Sequence, residues 1–107
     1  MKKGTIILIP FPFTDFSGMK TRPALILATD IYDVTVAFIT SKIIKQEPHD
    51  LEILPTETNG LRVESIIKLN KLATIDKELI LGELGVLSES DIKAIDKKLI
   101  GVFNISI

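Results

Sequence analysis

Arg22, Thr40, Ser41, Lys68 and Asn70 are the side chains whose types and positions could do chemistry in this sequence. Arg22 and Arg62 are its arginines, and the other cations are lysines. A guanidinium keeps its charge at any physiological pH and grips a phosphate in two places, so Arg22 is the more informative cation near its loop. Arg22 stands at the start of one apolar run, and Thr40 and Ser41 close another. Lys68 and Asn70 flank the end of a third. If the first two runs form a hairpin, these ends meet on one side of a sheet. Arg22 would then supply charge, and Thr40 and Ser41 hydroxyl donors, to a phosphodiester held without a metal. The plainer reading stands beside this one: Thr40 and Ser41 end a strand, and Lys20 and Arg22 are solvated charges at the close of a loop.

Other chemistries find little support. His49 is the sole histidine and lies between Pro48 and Asp50, where a surface side chain is the simpler reading. There is no Asp-x-Asp or His-x-x-x-His spacing and no cysteine, so neither a metal-ligand set nor a thiolate nucleophile is expected. A nucleophile elbow, a glycine-rich phosphate loop and a dinucleotide fingerprint are also missing, and no cofactor is expected.

The elements that must position these residues are short. Thr5-Ile6-Ile7-Leu8-Ile9 is a β-branched apolar run of strand length. Pro10 is expected to end it, and Pro10 to Thr21 to form a loop of about a dozen residues, at the long end for a compact domain. Pro23 opens a second strand through Leu27. Val34–Ile39 reads as a third and the alternating Asp50–Leu54 as a fourth. Ser65–Leu69 and Leu72–Asp76 follow, and Leu79–Leu84 is strand or a short helical turn. The period then changes. Ile92, Ile95, Leu99 and Val102 line one helix face, with Ser88 as N-cap, Leu87 as a staple and Gly101 as a stop signal.

About six closely spaced strands before one helix predict a mainly β fold. The expected form is a small curled antiparallel barrel with a C-terminal helix against it. The 107 residues make one domain, 1–107, with 46% hydrophobic side chains to build a core. The net charge of −1 excludes a globally basic nucleic-acid binder but not a local basic groove. No apolar run is long enough to span a bilayer and no signal-peptide core begins the chain, so no membrane role and a cytoplasmic location are expected.

The sequence resembles the PemK/MazF family of type II toxin–antitoxin endoribonucleases. The resemblance rests on Gly4–Leu27, with its PFPFTDFSG loop and Thr21-Arg22-Pro23-Ala24-Leu25; on Val36–Ser41; on Ser65–Asp76; and on Leu84-Gly85-Val86-Leu87-Ser88. It implies an SH3-like barrel of the CcdB/PemK/MazF type that works as a homodimer and is inhibited by a cognate antitoxin. It also implies sequence-specific, metal-independent cleavage of single-stranded RNA. The family's catalytic pair matches Arg22 and Thr40. The RNA 2′-hydroxyl would attack its own phosphate, leaving a 2′,3′-cyclic phosphate and a 5′-hydroxyl. Phe13, Thr14, Ser17, Lys20, Ser41, Lys68 and Asn70 would hold the strand.

One departure bears on mechanism. Some relatives carry Arg-x-Asp where this chain has Lys68-Leu69-Asn70. Asn70 cannot act as a base, and an ammonium is a poorer phosphate fork than a guanidinium. Either another group or water removes the proton, or this member is slow. Two alternatives to the nuclease follow: a non-catalytic toxin of the same fold that acts by binding protein, as CcdB does, or an inactive paralogue that binds only its antitoxin.

Overall fold

The computed structural model describes residues 1–11, 20–43 and 46–107. Among these residues, six strands form one antiparallel sheet: β1 (Thr5–Phe11), β2 (Lys20–Thr29), β3 (Asp33–Thr40), β4 (Asp50–Ile53), β5 (Ser65–Asp76) and β6 (Gly82–Val86). Their spatial order is β4-β5-β3-β2-β1-β6. A 3₁₀ turn, Lys77–Leu79, precedes β6, and helix α1 (Glu89–Phe103) ends the fold. This is the mainly β architecture with a C-terminal helix that the sequence predicts. Among the described residues, no helix is long and apolar enough to cross a membrane.

Alternation along the strands puts apolar side chains on both faces of the sheet. Ile6, Leu25, Ala37, Ile67 and Leu69 share one buried cluster with Ile95 of α1, and Ile92, Leu99 and Val102 pack against it. Ile7, Ile9, Ala24, Ile26, Val34, Val36 and Ile75 form a second cluster. A sheet that is apolar on both faces must curl or be covered. Three register shifts bend this one, and bulges are the usual source of such bends. One lies between β1 and β6, one between β2 and β3, and one between β3 and β5. The last is large. Phe38 pairs with Lys68 while its neighbour Ala37 pairs with Leu72, so residues 69–71 are extra.

That bulge corrects one expectation. Ser65–Leu69 and Leu72–Asp76 are a single long bent strand, not two. A second correction concerns the prolines, which lie inside their strands. Leu8 turns its carbonyl toward the β6 side, where it accepts from the Leu81 N–H at 2.8 Å. Pro10, two residues on, turns its missing N–H the same way, beyond the end of the β1–β6 ladder at Leu8. Pro23 faces β3, just past the last rung at Ala24–Phe38. β1 therefore runs to Phe11 and β2 begins at Lys20, each beyond the end that the pattern suggests.

The helix starts as expected: the Ser88 hydroxyl accepts from the Asp91 N–H at 3.2 Å, and buried Leu87 lies in the cluster that Ile92 packs against. It does not stop at Gly101. Asn104, in the left-handed conformation at φ 53°, is the C-cap, three residues later.

Candidate nucleic-acid interface

Arg22 and Thr40 meet because β2 and β3 are a hairpin. Their last paired rung is Ala24 with Phe38. Continuing that register sets Arg22 opposite Thr40, one pleat further on, where the strands no longer pair. Arg22 shares a sheet face with Ile9, its direct partner on β1, and with Ala24. Thr40 shares that face with Phe38, and Phe38 pairs with Lys68 on β5.

These side chains line a cleft of about 240 Å³, formed by Arg22, Phe38, Ile39, Thr40, Lys42, Lys68 and Lys71. The Thr40 hydroxyl accepts from the backbone N–H of Lys42 at 3.1 Å. That bond uses a lone pair and leaves the hydroxyl proton to donate. Among the described residues, no ion pair involves Arg22, Lys42 or Lys71. A chain of net charge −1 thus gathers in one concave place cations that have no ion-pair partner among the described residues, the electrostatic footprint of a polyanion site.

Lys68 is different. Its ammonium donates to Glu47 Oε1 at 2.8 Å and to Asp50 Oδ2 at 2.9 Å. Asp50 faces it directly across the β4–β5 ladder. The Asp50 side chain is fully buried and that of Lys68 is 11% exposed. Asp50 Oδ2 also accepts from the Glu47 N–H at 2.8 Å, while Oδ1 has no partner among the described residues. The hydrogen bonds from Lys68 to Glu47 and then Asp50 push the lysine above its ordinary range, against the effect of burial. The same contact with Lys68 holds Glu47 below the ordinary carboxylate value. Lys68 therefore lines the cleft with its charge already balanced.

The remaining positions expected from sequence scatter. Ser41 is exposed and lines a second, larger cleft that Arg22 also reaches. Lys20 is exposed at the start of β2, opposite Phe11, and Asn70 is exposed within the β5 bulge; neither lines either cleft. Phe13, Thr14 and Ser17 lie outside the described residues. Lys42 and Lys71 belong to the site although no motif marks them. Lys42 lies two residues past Thr40, the spacing of one strand face. Lys71 comes into place through the bulge, which sequence periodicity does not reveal.

The family model for PemK-like, MazF-like toxins of type II toxin–antitoxin systems matches residues 2–103. Comparison with curated protein sequences gives no match. Several solved structures share the fold along nearly the whole chain. The Mycobacterium tuberculosis toxin MazF-mt6 is 22% identical with a TM-score of 0.78, covering 96% of this chain and 99% of that one. An endoribonuclease in complex with its cognate antitoxin, from Mycobacterial species, is 15% identical with a TM-score of 0.78, covering 100% and 98%. MazE-MazF from Deinococcus radiodurans is 19% identical with a TM-score of 0.77, covering 99% and 98%.

Proposed function

The chain belongs to the PemK-like, MazF-like toxins of type II toxin–antitoxin systems, and from that membership we propose that it is a metal-independent endoribonuclease cutting single-stranded RNA. The observation that carries this reading is the placement of Arg22 and Thr40 in one cationic cleft with Lys42 and Lys71. A toxin that only binds another protein has no need of a phosphate clamp.

RNA brings its own nucleophile. The 2′-oxygen forms a bond to the adjacent phosphorus and the bond from phosphorus to the 5′-oxygen breaks, leaving a cyclic phosphate and a 5′-hydroxyl. Arg22 stabilises the charge that builds on the non-bridging oxygens as the phosphorus becomes five-coordinate. It acts as a fixed cation rather than a proton donor, because guanidinium hardly releases its proton. Thr40, oriented by the Lys42 N–H, donates its hydroxyl proton to a phosphate oxygen. Lys42 and Lys71 hold the neighbouring phosphates. Among the described residues no carboxylate lines the cleft, and Asn70 is no base. Another group or water takes the 2′-hydroxyl proton, and water protonates the departing 5′-oxygen.

The antitoxin-bound mycobacterial endoribonuclease supports a protein antitoxin as the partner. The resemblance supports a homodimer as the working form. The test is incubation of the purified chain with a long single-stranded RNA in excess EDTA, followed by mapping of the product ends. Discrete cuts ending in cyclic phosphates are expected. Intact RNA from folded protein overturns the nuclease reading.

A further inference from the structure

Arg22 lines two clefts, and the second is not used by the cleavage step described above. It has a volume of about 390 Å³, within the usual range for small-ligand sites. Leu8, Pro23, Ile39, Leu61, Val63 and Leu84 give it apolar walls. Its polar side chains are Arg22, Arg62, Thr21, Ser41 and Ser65. Arg22 and Ile39 line both clefts, while Leu8 and Pro23 alternate along their strands with Ile9 and Arg22 and line this one alone.

The wall carrying Arg62 is rigidly built. Asn59 is 2% exposed. Its side-chain oxygen accepts from the N–H groups of Thr56 and Leu61, both at 3.0 Å. Its amide donates to the Leu54 carbonyl at 2.9 Å. The Thr58 carbonyl accepts from the Val86 N–H at 2.9 Å, which ties the loop to β6. At the crossing Gly60 and Gly85 have no room for a side chain: a Cβ would strike the backbone of Leu84 or of Thr58 and Asn59, respectively. Leu84 is the extra residue of the β1–β6 register shift, and it completes the far wall. Such a wall holds its shape without a ligand, as discrimination between similar ligands requires.

We propose that this cleft is a nucleobase subsite and that Arg62 is its specificity-determining residue. The proposal rests on the nuclease reading. An RNA strand with its scissile phosphate at Arg22 leads an adjacent unpaired nucleotide over Pro23 into the cleft. Apolar walls take the faces of the base, and a guanidinium on the rim meets acceptors on its edge. Single-stranded RNA is read in this way, by burying splayed bases and bonding their edges. Arg62 has no ion-pair partner among the described residues, so its donors remain available. The Ser65 hydroxyl donates to the Val63 carbonyl at 2.9 Å, which leaves its oxygen to accept.

The test compares wild type, Arg62→Ala and Val63→Trp on a randomised single-stranded RNA library, with every cut position sequenced. Val63 is 54% exposed at the rim, so Val63→Trp fills the mouth without disturbing the core. Wild type is expected to prefer one base at a fixed position beside the cut. In Arg62→Ala that preference falls about tenfold or more, the size of a lost two-pronged base contact, while cutting continues and the other positions keep their preferences. Val63→Trp loses the same preference and cuts more slowly. Unchanged preferences in both variants overturn the subsite and leave the nuclease reading standing. A wild-type chain that cuts no RNA overturns both.

Discussion

Arg22 on β2 and Thr40 on β3 stand one pleat beyond the last rung of their ladder, on the same face of the sheet and in the same cleft. The hairpin below them, from Ala24–Phe38 down to Thr29–Val34, fixes their separation without using either side chain. Replacing Arg22 with Ala should therefore leave the fold intact. We expect a stability change within about 1 kcal/mol, mostly from lost packing of the aliphatic stem. RNA cleavage should fall by at least about 10²- to 10³-fold, the usual result of removing a preorganised oxyanion donor. Cleavage assays in EDTA beside a thermal melt check both parts. Retained cleavage by a folded variant removes Arg22 from the mechanism.

Thr40→Val isolates the hydroxyl, because valine keeps the branched shape. The variant loses the bond from the Lys42 N–H, which is partly exposed and can turn to water, so about 1 kcal/mol of stability is at stake. Its rate at saturating RNA should fall by more than its affinity, since the donor acts on charge that develops in the transition state. Single-turnover rates alongside RNA-binding titrations separate the two. A fall in affinity with the rate at saturating RNA unchanged would make Thr40 a binding residue only.

Lys68 gives the opposite pattern. Removing it strands the Asp50 carboxylate, whose side chain has no exposed surface. Breaking a buried pair from one side costs about 3 kcal/mol or more, because the remaining charge has no water to turn to. Lys68→Ala is therefore expected to unfold at markedly lower denaturant, and any loss of cleavage follows from that. Lys68→Ala at wild-type stability would show that the contacts with Glu47 and Asp50 are not formed in solution.

The strand pattern, the helix and the Arg22–Thr40 pair were all legible because each follows from local chemistry: β-branched runs, a Ser88 cap, and polar residues at the ends of apolar runs. The Lys68–Asp50 contact was not. It depends on β4 and β5 pairing in one register, and a one-residue slip would turn Asp50 to the other face. The single β5 strand was hidden for a related reason. Residues 69–71 break the alternation, so one bent strand reads as two. Pro10 and Pro23 misled because a proline's effect depends on which side its absent N–H faces, and only the neighbouring strands decide that. Arg62 carried no signal, since its importance depends on a loop closed by Asn59 from three residues away.

The Glu47–Lys68 contact sets a pH dependence. Lys68 holds the folded-state pKa of Glu47 below its ordinary 4.5. The stability this provides is present above pH 4.5 and is lost as pH falls through the lowered folded value. The Lys68 pKa is raised above 10.5, so its share is present below pH 10.5 and lost as pH rises through the raised value. Wild type should therefore exceed Glu47→Gln in stability across the neutral range, with the gap closing below pH 4.5. Urea midpoints measured from pH 3 to pH 8 test this. A gap that persists unchanged at the acid end would mean that Glu47 contributes through shape and not charge.

Two glycines of different surroundings give the last prediction. Gly60 has φ +70°, and a Cβ there would strike the Leu84 backbone. Gly60→Ala adds left-handed strain to a collision with a main chain that cannot rotate away, costing at least about 2 kcal/mol. Gly101 lies inside α1, where a Cβ meets nothing within 4 Å. Gly101→Ala removes unfolded-state freedom at no steric cost and should stabilise the protein by about 0.5–1 kcal/mol. Chemical denaturation of both variants beside wild type checks the opposite signs. A neutral Gly60→Ala would mean that the loop at Asn59 stands away from β6 in solution, and the rigid wall that presents Arg62 would go with it.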